Sequence, residues 1–100
     1  MKFISNTNDI RKYLNLKSKN NIKFNNISID TRTIKKDSLF IALKGENFNG
    51  NKFIEKAFAS GASAVLCSNK AYKNKNNAIY VPSVRDALSK ISSNIASDFQ

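Results

Sequence analysis

The residue types that most often perform enzyme chemistry are scarce in this sequence. It contains no histidine, and Cys67 is its only cysteine. The chain therefore lacks the commonest general base and metal ligand, and Cys67 has no partner for a Cys–His nucleophile or an internal disulfide. Because Cys67 ends the short apolar run that begins at Ala64, we expect it to be a core residue.

Acidic residues and long apolar runs are also few. The seven Asp and Glu residues include no pair at a spacing typical of acid–base catalysis, and the segment from Gly45 to Gly50 lacks the Gly-Lys-Ser/Thr ending of a phosphate-binding P-loop. No apolar run approaches the roughly 18–20 residues of a membrane span, and the N-terminus has no apolar segment of signal-peptide length. We therefore predict no catalytic residue, metal site or cofactor in this chain, no membrane span, and a cytoplasmic location.

Positive charge is abundant by contrast. The 17 Lys and Arg residues against seven Asp and Glu give a net charge of +10. Such an excess is compatible with a nucleic-acid or anionic-membrane partner. The cations are scattered, however, and they accompany asparagine, as in Lys73-Asn74-Lys75-Asn76-Asn77. We favour a compositional origin for the charge and expect no nucleic acid as partner, while a small basic nucleic-acid-binding module stays the alternative of another class.

Hydrophobic spacing predicts alternating helices and strands in one domain of 100 residues. Helices are expected over about 7–15 with Asn6 or Thr7 as N-cap, over about 53–58 with an end near Gly61, and from a Ser83 cap through Ile95. Strands are expected at about 24–30, 39–43, 64–67 and 78–81. This order indicates an α/β domain with at least one right-handed crossover.

One segment carries more polar residues than folding requires. In Ser28-Ile29-Asp30-Thr31-Arg32 a predicted strand ends in three consecutive polar residues. Ligands of α/β sheets bind at the carboxyl ends of strands, so this segment is a candidate site. The alternative is an ordinary Asp/Thr turn with an exposed arginine.

A second candidate is the segment Gly45–Asn51, between a buried strand and a helix start. Its glycines allow close backbone approach, and free N–H groups at the helix start favour an anionic group. Phe48 is apolar in this polar loop. It either stacks on a flat ligand ring or plugs the domain's own core.

Taken in order, these segments resemble the Mur ligases. The blocks that carry the resemblance are Asp30-Thr31-Arg32, Phe40-Ile41-Ala42-Leu43-Lys44-Gly45, Asn49-Gly50-Asn51-Lys52-Phe53-Ile54 and Gly61-Ala62-Ser63-Ala64-Val65. The match is close over 27–68 and looser through Val84–Leu88. This sequence departs from the family pattern at three points: Asn49 replaces the usual Asp, Asn51 the usual His, and Asp37-Ser38 the usual Gly-Asp.

The resemblance implies the N-terminal domain of such a ligase, a small three-layer α/β domain with a mixed or parallel sheet flanked by helices. The domain would hold the UDP end of UDP-N-acetylmuramoyl-peptide for an ATP-dependent amide ligase of bacterial cell-wall synthesis that forms an acyl phosphate intermediate. ATP and Mg would belong to a central domain that, like the C-terminal domain, lies outside these residues, so the 100-residue chain alone is not expected to be catalytic. We expect a monomer whose partners are UDP-N-acetylmuramoyl-tripeptide and the rest of its own ligase chain.

Thr31 bears on which ligase the chain resembles. Threonine in the middle of the Asp-Thr-Arg block is most similar to the enzyme that adds D-alanyl-D-alanine. The enzyme that adds the third stem-peptide residue more often has serine there, and it remains the alternative.

The resemblance also implies which residues bind the substrate. At the strand end, Ile29 and Thr31 would line a uracil pocket, and Arg32 would either pair with Asp30 or face the diphosphate.

In the loop, Glu46, Asn47 and Phe48 would close the same pocket. Gly45 and Gly50 would let the backbone come close to the ligand, and Asn51 would lie near the phosphates.

Overall fold

The described chain alternates helices and strands as predicted. A computed structural model describes the backbone of residues 4–98 and the side chains of residues 4–96. Its helices are α1 (Thr7–Tyr13), α2 (Ile54–Ala59) and α3 (Val84–Asp98), and its strands are β1 (Asn26–Ser28), β2 (Ser38–Ile41), β3 (Ala62–Cys67) and β4 (Ala78–Tyr80). Short 3₁₀ turns lie in the connections at Thr31–Thr33, Gly50–Phe53 and Lys70–Tyr72.

The four strands form one sheet in the order β1-β2-β3-β4, and every neighbouring pair is parallel. Of the two arrangements expected, parallel or mixed, the described residues adopt the parallel one. Each strand pairs with the next along the chain, so the carboxyl ends of all four lie at the same end of the sheet. That end is where α/β sheets bind ligands.

Helices cover both faces of the sheet, which confirms the three-layer arrangement. Side chains of a strand alternate between its two faces, so β2 sends Leu39 to one face and Phe40 to the other. The face of Leu39 packs against α1 and α3, and the face of Phe40 packs against Ile54 and Ala57 of α2. This double burial explains why β2 and β3 are continuous apolar runs.

Strand β1 is an edge strand, and neither Ile27 within it nor Ile29 just after it is covered by a packed layer. Ile27 and Ile29 are 52% and 54% exposed, whereas the side chain of Ser28 between them is buried. Ile27 pairs in register with Leu39 and shares its face, but the helices of that layer leave Ile27 uncovered. The strand is thus confirmed, although it is shorter than the alternating pattern indicated.

The local signals for helix ends and turns are confirmed where they fall on described residues. Asn6 caps α1 by accepting a hydrogen bond from the Asp9 amide (2.9 Å), and Ser83 caps α3 through the Asp86 amide (3.2 Å). Gly61 has a φ of 117°, which suits glycine after a helix end. Asp37, where the family pattern has glycine, also lies in the left-handed region with a φ of 63°.

Arg11 is a buried cation that the sequence pattern did not single out. Its Nη2 donates to the carbonyl of Ala78 (3.0 Å), at the start of β4. The carbonyl of Asn77 accepts a hydrogen bond from the Val65 amide of β3. Successive carbonyls of a strand point to opposite sides, so the carbonyl of Ala78 points to the free edge of the sheet. Arg11 therefore covers part of an edge that would otherwise be open to another strand.

Candidate functional site

A groove of about 410 Å³ lies beyond the carboxyl ends of β1 and β2. It is lined by residues from both predicted segments and from α2, namely Ile29, Asp30, Thr31, Arg32, Phe40, Leu43, Phe48, Phe53 and Lys56. The structure therefore brings together four of the predicted site residues, which are Ile29, Thr31, Arg32 and Phe48.

One wall of the groove is a tightly wound turn that follows β1. The Ser28 and Thr33 hydroxyl oxygens lie 2.8 and 3.0 Å from the Asp30 carbonyl oxygen and 2.9 Å from each other, so their two protons serve two of these three contacts at a time. These bonds fix the backbone on both sides of Thr31. The hydroxyl of Thr31 makes no hydrogen bond with the described part of the chain, so it can donate to or accept from a ligand.

Asp30 and Arg32 form an ion pair on this wall, which is one of the two arrangements expected for Arg32. Arg32 Nη2 lies 2.7 Å from Asp30 Oδ2, and Arg32 Nε lies 3.1 Å from each carboxylate oxygen. Asp30 also accepts from the Arg32 amide (2.9 Å). Hydrogen bonds from the Arg32 side chain and amide lower the pKa of Asp30 to about 2, and the same partner raises the pKa of Arg32.

The floor and the opposite wall of the groove are apolar. Phe40, Leu43 and Phe53 form the floor, and Phe48 stacks on Phe53 with 5.6 Å between ring centroids and 9° between ring planes. Phe48 remains 48% exposed, so it does not plug the core. With Ile29 also exposed across the groove, the site can accept a flat ring between two apolar surfaces.

The loop that carries Phe48 is a tight reversal. Lys44 and Asn49 form an antiparallel bridge, and the Gly45 amide donates to the Phe48 carbonyl (2.7 Å). Glu46 and Asn47 are exposed at its tip. Gly45, Glu46 and Asn47 are not among the residues that line the groove.

Gly50 and Asn51 hold this loop on the domain. A Cβ at Gly50 would lie 2.8 Å from the Leu43 carbonyl oxygen, and the Gly50 amide donates to that same oxygen (2.6 Å). The close approach that requires glycine here is therefore to the chain's own backbone. Neither Gly50 nor Asn51 lines the groove.

Asn51 joins the loop to the end of β3. Its Nδ2 donates to the Ser68 hydroxyl (3.0 Å) and to Asn49 Oδ1 (3.0 Å), while its Oδ1 accepts from the Ser68 amide (3.1 Å). Asn49 Oδ1 also accepts from the Asn51 amide (3.1 Å). The amides of Gly50 and Asn51, which were expected to be free for an anion, are thus occupied within the chain.

Sequence reasoning missed Lys56 as a groove residue. It belongs to α2, where Ile54 and Ala57 are buried and Lys56 is exposed toward the groove. The amphipathic pattern of α2 indicates an exposed lysine, but only the placement of α2 beside the turn after β1 puts that lysine in the groove.

The remaining chemistry in the described residues is limited. Cys67 is fully buried, as expected for a core residue, and burial raises the pKa of its thiol. Among residues 4–98 no three His, Cys, Asp or Glu side chains are grouped to hold a metal ion. Over the same residues, no helix has the length and apolar character to cross a membrane.

An ATP–Mg site is implied by the resemblance for another domain, and the groove does not fit one. The loop at 45–50 lacks a P-loop pattern, and the amides of Gly45 and Gly50 bond to carbonyls of the chain itself. The one carboxylate that lines the groove, Asp30, is paired with Arg32.

Comparisons with known proteins agree with this architecture. Residues 23–95 match the family described as "Mur ligase family, catalytic domain". The chain is 41% identical over 68 residues, 68% of its length, to the UDP-N-acetylmuramoyl-L-alanyl-D-glutamate–2,6-diaminopimelate ligase of Rickettsia typhi. It is 38% identical over 94 residues, 93% of its length, to the UDP-N-acetylmuramoyl-tripeptide–D-alanyl-D-alanine ligase of Buchnera aphidicola subsp. Baizongia pistaciae.

Solved structures show the same fold. The MurF ligase of Thermotoga maritima in complex with ADP matches with a TM-score of 0.62 at 26% identity, over 73% of this chain and 17% of that one. A MurF of Acinetobacter baumannii matches with a TM-score of 0.63 at 21% identity, over 84% of this chain and 19% of that one. The chain spans 14% and 20% of the length of the two relatives named above. The family match and the shared fold together establish that this chain belongs to the Mur ligase family.

Proposed function

We propose that this chain anchors the UDP end of a UDP-N-acetylmuramoyl-peptide for an ATP-dependent amide ligase of peptidoglycan synthesis. The observation that carries the proposal is the groove at the carboxyl ends of β1 and β2. It places Ile29, Thr31 and Phe48, which are distant in sequence, around one apolar floor with cationic side chains at its walls.

The groove has the chemistry that a uridine nucleotide requires. A uracil ring between Ile29 and Phe48 would gain apolar and stacking contact on its faces. The unpaired hydroxyl of Thr31 can meet one of the polar groups on the edge of the ring. The diphosphate would then leave the apolar floor on the side where the groove carries positive charge.

The domain would contribute to the reaction by positioning its substrate. Binding energy gained at the nucleotide end, remote from the reacting carboxylate, can hold that carboxylate in place for its reaction. In this proposal ATP activates the carboxylate in another domain, and no residue of the present chain carries a chemical step. The groove residues bind and orient the substrate.

Two members of the family remain as candidates for the whole enzyme. We favour the ligase that adds D-alanyl-D-alanine, because Thr31 fits its pattern and the Buchnera relative of that name aligns over 93% of the chain. The ligase that adds the third stem-peptide residue is the alternative, since the Rickettsia relative named for 2,6-diaminopimelate is 41% identical over a shorter segment.

A titration followed by NMR amide shifts tests the proposal. The ligands are UDP-N-acetylmuramoyl-tripeptide, UDP-N-acetylglucosamine and a DNA duplex. Shifts that cluster on 29–32 and 45–51, with the muramoyl ligand preferred over DNA, are the expected result.

Salt dependence separates the nucleic-acid alternative from the proposed site. A protein with 6–10 phosphate contacts to DNA loses about 10³–10⁵ in affinity between 50 and 200 mM salt, whereas a ligand with two phosphates is far less sensitive. No response to the nucleotide sugars, with salt-sensitive shifts from DNA, would contradict the proposed function.

A further inference from the structure

Lys56 contributes a positive charge to the groove that no acidic side chain of the described residues contacts directly. Its side chain lines the groove from α2, while Ile54 and Ala57 on the same helix are buried in the core. The Lys56 ammonium makes no hydrogen bond or ion pair with the described part of the chain, in which the one recorded ion pair joins Asp30 and Arg32.

The other cation of the groove, Arg32, is in a different state. Three contacts join its guanidinium to the Asp30 carboxylate, and that carboxylate also accepts from the Arg32 amide. The carboxylate therefore offsets most of the charge of Arg32. Two cations and one carboxylate line the groove, so the net positive charge that remains belongs chiefly to Lys56.

The surroundings of Lys56 favour an anion. Phe40, Leu43 and Phe53 form an apolar floor, and a charge beside such a surface is screened less than one in bulk solvent. The field of Lys56 also extends across the groove, because it contributes, after the larger effects of Arg32, to the low pKa of Asp30.

We propose that Lys56 contacts the diphosphate of the nucleotide ligand and makes the groove prefer nucleotides to nucleosides. This inference rests on the proposed function. The ring of the ligand would occupy the space between Ile29 and Phe48, and its first phosphates would reach the Lys56 ammonium on the wall formed by α2. Lys56 is thus a specificity-determining residue that acts through charge and not through shape.

The test compares UDP with uridine, measured by NMR titration of the 100-residue chain and of three variants. Lys56→Gln removes the charge and keeps a polar side chain, and Lys56→Arg restores the charge. Lys12→Gln is the matched control, because Lys12 is an exposed lysine of α1, on the other face of the sheet.

We expect Lys56→Gln to weaken UDP binding by about tenfold to 150-fold, the range for loss of one charge-assisted hydrogen bond. Uridine binding should change by less than about twofold, because uridine lacks the group that Lys56 contacts. Lys56→Arg should keep most of the affinity for UDP, and Lys12→Gln should keep all of it. The readout is the ratio of the two affinities, since any loss of fold would weaken both ligands together.

The failure of this inference is distinguishable from the failure of the proposed function. Wild-type protein that binds neither UDP nor uridine would overturn both. Wild-type protein that binds UDP, with an unchanged UDP-to-uridine ratio in Lys56→Gln, would overturn the role of Lys56 alone. An equal loss in Lys12→Gln would also overturn it, because the effect would then come from net charge.

Discussion

The rings of Phe48 and Phe53 lie parallel, with centroids 5.6 Å apart and 9° between their planes. Phe53 belongs to the floor of the groove and Phe48 to the loop above it, so the stack ties the loop to the floor. Because Phe48 is 48% exposed, part of its ring remains open to a ligand. The same residue therefore shapes the groove and offers a surface for stacking.

Phe48→Ala is expected to reduce the affinity for UDP by about fivefold to 150-fold, since stacking of a base on an aromatic side chain contributes about 1–3 kcal/mol. Phe48→Tyr keeps a ring and should bind within about threefold of wild type. NMR titration measures both. Loss of binding in Phe48→Tyr equal to that in Phe48→Ala would show that stacking is not the contribution of this residue.

Gly50→Ala is expected to lower the free energy of unfolding by about 1–3 kcal/mol, the usual cost of forcing extra volume into a packed site. The new Cβ would lie 2.8 Å from the Leu43 carbonyl oxygen and 2.9 Å from backbone atoms of Ala42. Gly45→Ala is the matched control, because a Cβ there meets no heavy atom within 4 Å. Urea unfolding of the two variants should differ clearly, and equal midpoints would contradict the close approach seen at Gly50.

The Asp30–Arg32 pair predicts a pH dependence in the acid range. The pKa of Asp30 in the folded chain, about 2, is below its ordinary value of 3.8. Its contribution to stability is therefore fully present above the ordinary value and is lost as the pH falls toward 2. Titration of the Asp30 carboxyl by NMR should show the low pKa in wild type and a rise toward the ordinary value in Arg32→Gln. An unchanged pKa in Arg32→Gln would contradict the pairing.

Asn51→Ala should separate stability from binding. The change removes the hydrogen bonds to the Ser68 hydroxyl and amide and to Asn49, and we expect a loss of about 1–3 kcal/mol in the free energy of unfolding. Because Asn51 does not line the groove, the folded variant should bind UDP within about threefold of wild type. A larger loss of affinity at full folding would contradict this prediction, because Asn51 would then either contact the phosphates, as the resemblance implied, or hold the Phe48 loop in its binding position.

The central strands β2 and β3 were predictable from the sequence, because a strand that is buried on both faces is a continuous apolar run. The apolar runs Leu39–Ile41 of β2 and Ala64–Cys67 of β3 agree with the prediction, because each of these residues is buried against a packed layer. At β1 the alternating pattern did not predict which side chains are buried. The burial of an edge strand depends on where α1 and α3 end, and that is a property of the whole fold.

The candidate site was predictable to a similar extent. Among the residues that line the groove, Thr31 was predicted from a polar strand end and Phe48 from an apolar residue in a polar loop, whereas Ile29 was predicted from the family resemblance. Lys56 was not, since an exposed lysine on a helix is ordinary until the helix is placed. The contacts of Asn51 with Ser68, 17 residues later in the chain, likewise appear only in three dimensions.

The joint between the groove loop and β3 contains no group that changes charge near neutrality. It is built from the amide side chains of Asn49 and Asn51 and the hydroxyl of Ser68. A histidine at position 51, the usual residue of the family pattern, would titrate near pH 6.5 in the absence of other influences. With asparagine there, and with no histidine anywhere in the chain, acidification across the range between pH 8 and pH 5 leaves this attachment unchanged. The hydrogen bonds that attach the Phe48 loop to β3 therefore do not depend on pH in this range.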